Sequence, residues 1–423
     1  MQDARIFGRG FRSTYTEGRL TLGVTFPIEA YAHSPIPTLR DQVALAKTAE
    51  QGGFAALWSR DVPLIDPSFG DAGQIHDPWV WLGYLAGQTS LIALATGSII
   101  LPLRRHVDLA KAAASVDRLT EGRLVMGVAS GDRPVEYSVY DVHFETRDAA
   151  FRDAFDFIRA ATHRPADWHD QQAAASGQVE LLPKSHAGHV PLLVTGNSRQ
   201  SVQWIAGNAD GWLMYPRAVE QQRDVVRAWH TSLAAAGQGW KPFSQSLYVD
   251  LCDDPDARPT PIHLGYRLGR NTLIAHLTAL RDIGVNHVGL NLRFSTRPVE
   301  DVLDELCHHV VPEFPVPDVE SETRFRSPFM ARLKRGFCAL CARDTALTFH
   351  HLIPRKLHRR PRFRKAYKRD VLNAGIDICS RCHTGLHRLF DEMTLATELH
   401  TLEALHANEA VQRHVAWVAR QKS

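Results

Sequence analysis

The chain reads as an α/β protein: a (β/α)8 barrel followed by a small metal-clamped module. Three observations predict this. Eight apolar, β-prone runs alternate with helical periodicity across residues 20–310. A proline-rich, aperiodic stretch then breaks the rhythm at residues 311–330. Beyond it, two Cys-x-x-Cys pairs, Cys338/Cys341 and Cys379/Cys382, frame about half of the remaining chain. A doubly wound sheet is the alternative that strand counting leaves open.

The elements follow in order. Residues 20–27 (LTLGVTFP) form the first strand, and 38–51 a helix ended by Gly52-Gly53. Residues 54–61 and 78–89 repeat the pair, and 92–101 with 107–119 repeat it again. Residues 123–130 (RLVMGVAS) are the fourth strand. A polar section at 132–189 is expected to be irregular. The rhythm resumes with strands at 191–195, 211–215, 245–252 and 287–294, and helices at 198–208, 219–235 and 271–283.

Composition bounds the rest. The length of 423 residues exceeds one ordinary hydrophobic core. Net charge is +3, but residues 331–423 hold 18 Lys+Arg against 8 Asp+Glu, whereas the first 330 hold 31 against 38. A basic module for a polyanion is joined to an acidic one. The apolar run at 91–103 is too short to span a membrane, and the first twenty residues have no apolar leader core. The expectation is a cytoplasmic protein whose thiols stay reduced and open to metal.

On either fold, function belongs to the loops after strand ends. Three are notable: LPLRRH (101–106), SGDRPVEY (130–137) and TGNSRQS (195–201). In the last, Gly196 permits a close turn and Asn197 or Ser198 can cap the next helix. Ser198 and Ser201 set hydroxyls beside its free N–H groups, which suits a phosphate; a plain helix cap is the competing reading.

The segment LPLRRHVDLAKAAASVDRLTEGRLVMGVASGDRPVEY, with LWSRDVPL before it and TGNSRQSVQWIAGNADGW after it, resembles the luciferase-like flavin monooxygenases. The resemblance covers roughly residues 20–315. It implies a TIM barrel that binds reduced FMN or, in a sister branch, the deazaflavin F420. It implies a cofactor set of Ser98, Ser130, Gly131, Thr195, Gly196, Asn197, Ser198 and Ser201. Asp61 and Arg133, at predicted strand ends, are candidates to meet a small-molecule substrate, with a structural salt bridge as the alternative. His76 and His106 are the nearest candidates for a catalytic loop histidine.

These readings divide the chain into a barrel at 1–315, a linker at 316–330 and a module at 331–423. Two separate genes joined in one reading frame would give the same pattern. In the module, two Cys-x-x-Cys pairs 37 residues apart suit a tetrahedral structural zinc site. His383 and His387 are spaced i, i+4 on one helix face. His350 with that pair can hold a divalent ion (Mg2+, Mn2+, Ni2+ or Zn2+), leaving His351 free to take a proton from water. Adjacent strand residues point to opposite faces, so both histidines acting together requires a bend.

The pattern C-x-x-C…HH…N…C-x-x-C-H-x-x-x-H resembles the HNH (ββα-metal) nucleases over residues 336–390. It implies His351 as general base, oriented by Asn373, with His350, His383 and His387 as ligands. Between them, residues 355–369 carry nine basic residues: Arg355, Lys356, Arg359, Arg360, Arg362, Arg364, Lys365, Lys368 and Arg369. Interleaved with Phe363 and Tyr367, they are expected to contact DNA phosphates with little base preference. Residues 401–419 have helical spacing that covers the small core. The resulting expectation is an oxidoreductase joined to a metal-dependent nuclease. The alternatives are a non-catalytic zinc nucleic-acid-binding tail, or a barrel that alone is active. Barrel-mediated dimerisation is left open.

Overall fold

The computed structural model describes residues 7–34, 36–66, 76–165, 168, 178–317, 334–354, 357, 361–367, 369–372 and 374–419. The chain forms two compact units, Met1–Thr323 and Arg324–Ser423. Most of the expected linker at 316–330 lies outside the described residues, as do Arg355, Lys356, Arg359, Arg360, Lys368 and Asn373.

In the first unit, the elements are α1 Arg9–Thr14, β1 Thr21–Thr25, α2 Gln42–Gln51, β2 Ala56–Ser59, α3 Pro78–Ala86, β3 Ala93–Ile100, α4 His106–Leu119 and β4 Leu124–Ala129. They continue with α5 Pro134–Val139, α6 Arg147–Thr162, β5 Leu192–Thr195, α7 Val202–Asn208, β6 Gly211–Met214, α8 Val219–Ala235 and β7 Phe243–Leu251. A hairpin, β8 Thr260–Ile262 and β9 Gly265–Leu268, precedes α9 Arg270–Asp282, β10 His287–Asn291 and α10 Val299–Glu305.

Strands β1 to β7 pair in sequence, all parallel, and β10 pairs with both β7 and β1. Eight parallel strands therefore close on themselves. The closure excludes the doubly wound alternative. Strands such as β1, β2 and β10 are buried along their whole length, which is why they read as continuous apolar runs. Local signals set the helix starts. Asp77 accepts N–H bonds from Trp79 and Val80 ahead of α3, with Pro78 at the first helical position.

Two features depart from the sequence reading. The section expected to be irregular at 132–189 contains α5 and the sixteen-residue α6. Phe151, Ala154, Phe155 and Ile158 of α6 are buried, a stripe at i, i+3, i+4 and i+7 diluted by Arg and Asp. The N-terminal stretch also folds. Phe7, Phe11 and Tyr15 pack with Ala56, Trp58, Ala93, Ala95 and Leu213 inside the barrel. This helix sits at the strands' starting end, where Gly10 N–H bonds Gly122 O at 2.9 Å. A Cβ on Gly8 or Gly10 would lie 2.3 Å from backbone oxygens of Gly122 or Arg123, so only glycine permits the approach.

The second unit holds β11 Lys334–Phe337, β12 Asp344–His351 and β13 Gly375–Cys379 as an antiparallel sheet ordered β11-β12-β13. Its helices are α11 Pro361–Ala366, α12 Arg369–Leu372, α13 Ser380–Leu389, α14 Glu392–Thr397, α15 Leu402–Ala407 and α16 Glu409–Ala419. The helical spacing expected at 401–419 is realised as two helices. Leu405, Val411 and Val418 pack with the four cysteines in one small core. No described helix is long and apolar enough to cross a membrane.

Candidate functional sites

At the barrel's open end, β3 bulges between Thr96 and Ile99. The bulge re-aims the strand, and Ser98 there meets the Thr195 hydroxyl at the end of β5. Ser198 donates to Thr195 O at 2.8 Å and accepts the N–H of Ser130, at the end of β4, at 3.3 Å. Gly131 follows with φ +72, and Gly196 turns the next loop with φ +54. Four of the expected cofactor residues, Ser98, Ser130, Thr195 and Ser198, are thus gathered across β3, β4 and β5.

The cap assignment in that loop is corrected. Ser198 has φ +42 and lies outside the helix; Ser201 is the N-cap of α7 and accepts from Trp204 N–H at 3.1 Å. Asn197 is exposed, and its carbonyl closes a turn to Gln200.

Asp61 is buried after β2 and holds Arg104 through both oxygens, at 2.5 and 2.8 Å. Its Oδ2 also accepts Ile100 N–H at 3.0 Å. Burial pulls the Arg104 pKa down, but the Asp61 hydrogen bond and charge outweigh it and leave it above the ordinary value. After β4 come Arg133, at the start of α5, and Glu136 within that helix, both buried. Sequence reasoning flagged both loops but passed over Arg104 and Glu136, because only the folded loops reveal their burial. His76 stacks near Phe26 and Trp81, while His106 is exposed at the start of α4 against Phe157.

In the second unit, Cys338 and Cys341 sit in the turn after β11, Cys379 ends β13 and Cys382 is on α13. All four are buried, and their Sγ atoms lie within 4.8 Å of one another. Cys379 N–H donates to Cys338 Sγ at 3.3 Å, and Cys382 N–H to Cys379 Sγ at 3.4 Å. The hydrogen bond from Cys382 holds the Cys338 thiol well below the usual thiol range. Four clustered thiols with N–H···S support fit one tetrahedral ion.

A second cluster adjoins it. The ligand nitrogens of His350, His383 and His387 also lie within 4.8 Å of one another. His350 is 2 % exposed; burial, then the two other rings, holds it down to about 4. It is therefore neutral, as a metal ligand must be. The bend expected between His350 and His351 is absent. Their pairing to Ile376 and Gly375 is uninterrupted, so alternation puts them on opposite strand faces.

Asn373 and five of the nine basic candidates lie outside the described residues; of the rest, Arg362 is exposed and Arg364, Lys365 and Arg369 fall within α11 and α12. The aromatic interleaving is corrected. Phe363 is 2 % exposed in a core with Ile353, Leu357 and Leu372, and Tyr367 packs on it at 6.1 Å. These rings build the unit's interior and do not form an exposed stacking surface.

A family model described as luciferase-like monooxygenase matches residues 20–257. An uncharacterized protein of Mycobacterium tuberculosis is 31% identical over 231 residues, covering 51% of this chain and 81% of that one. The F420-dependent hydroxymycolic acid dehydrogenase of the same organism is 27% identical over 205 residues, covering 46% and 54%. The oxygenating constituent of 3,6-diketocamphane monooxygenase from Pseudomonas putida, solved with FMN, shares the fold at 14% identity and a TM-score of 0.54. It covers 71% of this chain and 100% of that one.

Proposed function

The chain belongs to the luciferase-like monooxygenase family, and from that premise we propose that its barrel is an oxidoreductase using reduced FMN, with F420 as the alternative cofactor. One observation carries the reading: Ser98, Thr195, Ser198 and the Ser130 N–H converge at the ends of three adjacent strands. Hydroxyls and a backbone N–H are the neutral set that a phosphate or a sugar-alcohol chain takes. When bound, the flavin supplies the redox chemistry. The chain's own residues hold and orient it, while Asp61 fixes Arg104 beside the substrate and Arg133 meets the substrate's polar end.

The F420-dependent relative keeps F420 open as the cofactor, and the FMN-bound structure shows that this fold can hold FMN. Titrating the full-length protein with FMN and with F420, followed by absorbance and fluorescence, tests the reading. Saturable binding of one of them is expected. Binding of neither removes the oxidoreductase assignment. In the expected cytoplasmic setting the four thiols would stay reduced and open to zinc; a sizing column decides whether the barrel dimerises.

For the second unit, the three-histidine cluster favours a second reading, metal-dependent hydrolysis of DNA in the manner of HNH nucleases. His350, His383 and His387 would hold a divalent ion that neutralises phosphate charge; His351, on the opposite strand face, would accept a proton from water only where the end of β12 turns as DNA binds. The competing reading, a zinc-stabilised tail that binds nucleic acid without cutting, follows from the net charge of that region. Supercoiled-plasmid nicking with Mg2+, Mn2+, Ni2+ or Zn2+ separates them. Nicking lost in His351→Ala with zinc retained favours the nuclease, whereas binding without nicking leaves only the tail.

A further inference from the structure

The short helix α5 holds to the barrel by two side chains. Of its six residues only Glu136 and Tyr137 are buried, while Val135 and Val139 stand out in solvent. Tyr137 packs with Ile100 and Leu103, and its hydroxyl donates to Ser130 O. Ser130 is also the residue whose N–H reaches Ser198 in the hydroxyl cradle. One tyrosine therefore joins the seat of α5 to the shape of the cradle.

Glu136 anchors the helix well in one protonation state and badly in the other. It is 0 % exposed, and neither carboxyl oxygen has a hydrogen-bond partner among the described residues. Arg133 Nη1 stands 3.7 Å from Oε1, near enough to attract a negative charge but too far to donate a hydrogen bond. An ionised carboxyl here would lose its water and gain no donor, whereas a neutral one is far easier to bury. The neighbouring groups do not relieve it. Asp61 has its oxygens on Arg104 and Ile100, and Asp132 is exposed. Tyr140 lies under Arg104, and Arg147 lies over Phe144.

We propose that Glu136 positions the flavin cradle through Tyr137: neutral, it lets α5 seat; ionised, it lifts the helix and slackens the hold on Ser130. The inference rests on the oxidoreductase reading only for the flavin that the cradle serves. Burial raises the Glu136 pKa to about 7, with Arg133 and Arg104 opposing the rise and Asp61 and Asp132 adding to it. Lifted into water, the carboxyl returns to its ordinary value of 4.5. The seated helix thus holds an extra proton between those two values, and seating weakens as pH rises through that window. Above it both forms are ionised and the dependence stops.

Hydrogen exchange on the full-length protein, followed by mass spectrometry over residues 134–142, measures the seating. After correction for the intrinsic effect of pH on exchange, protection is expected to fall by about tenfold per unit between about pH 5 and 7, and then to level. Glu136→Gln copies the neutral carboxyl. Its protection should be flat, and at about pH 8 should exceed that of the unaltered protein by roughly a hundredfold. The link to the cradle is read from FMN affinity. The dissociation constant of the unaltered protein divided by that of Glu136→Gln cancels the titration of FMN itself, and should climb above unity as pH rises from about 5 to 8.

Level protection in the unaltered protein across that range overturns the proposal, and that measurement needs no variant to fold. An FMN ratio that stays at unity while protection titrates overturns the positioning role. Failure to bind FMN or F420 beside titrating protection removes the oxidoreductase reading and keeps the pH-dependent seat of Ser130.

Discussion

Trp58 donates its indole N–H to Nε2 of His287 across 2.8 Å inside the barrel. An indole nitrogen only donates, so Nε2 must accept and the ring proton must sit on Nδ1. Nδ1 lies 2.8 Å from Thr21 Oγ1, which in turn donates to Thr14 O at 2.7 Å. One donor thereby fixes the direction of a whole chain, from β2 through β10 and β1 to the helix at the barrel's foot.

Removing that donor should be costly. Trp58→Phe leaves a buried acceptor unpaired, and urea unfolding is expected to show a loss of about 1–3 kcal/mol.

The same histidine predicts an acid limb. Burial holds its folded pKa down to about 3, against an ordinary value of 6.5. The unfolded chain binds the extra proton between those values, so this contribution is complete above pH 6.5 and lost as pH falls toward 3. His287→Gln should flatten the stability profile in that window, measured by thermal melts. An unchanged profile would assign the acid limb elsewhere.

The hydroxyl cradle predicts a flavin phenotype. Thr195→Val removes the partner of Ser98, and FMN affinity should fall about tenfold, the worth of one hydrogen bond in that position. Gly131→Ala is a harsher change. Its φ is +72, and the new Cβ would sit 2.7 Å from Ile100 Cγ2 and 3.2 Å from Tyr137 Oη. A loss of about 1–3 kcal/mol in folding stability is expected.

In the second unit, Cys338→Ser should abolish bound zinc, read by elemental analysis. Amide exchange should then accelerate through Gly375–Cys379 and Ser380–Leu389, which the cysteine core supports. His350→Ala should spare the zinc and weaken binding of the second divalent ion by about tenfold or more. Loss of zinc in that variant would mean the two clusters are one structural site.

The strands were legible because a closed parallel sheet buries both faces, and β3, with seven of its eight residues buried, is a plain apolar run. The four-thiol and three-histidine clusters were legible because pairs within them come from short local spacings, Cys-x-x-Cys and His-x-x-x-His. What escaped depends on partners distant in sequence. α1 is six residues long and has meaning only against Gly122 and Arg123. Asn197 and Ser198 were the caps the sequence suggested, and the left-handed turn at Ser198 and Arg199 moves that role on to Ser201. Glu136 looks like an ordinary surface helix residue until loops from three strands enclose it. Phe363 misled for the opposite reason: a charged neighbourhood in sequence became a hydrophobic interior in space.

The aromatic helix pressed into the starting end of the strands has a corollary for truncation. Phe7, Phe11 and Tyr15 close that end of the barrel's core. Cutting the chain back past Tyr15 would uncover Ala56, Ala93 and Ala95, which are too small to cover one another. The shortened barrel should then take up a hydrophobic dye that the whole protein excludes.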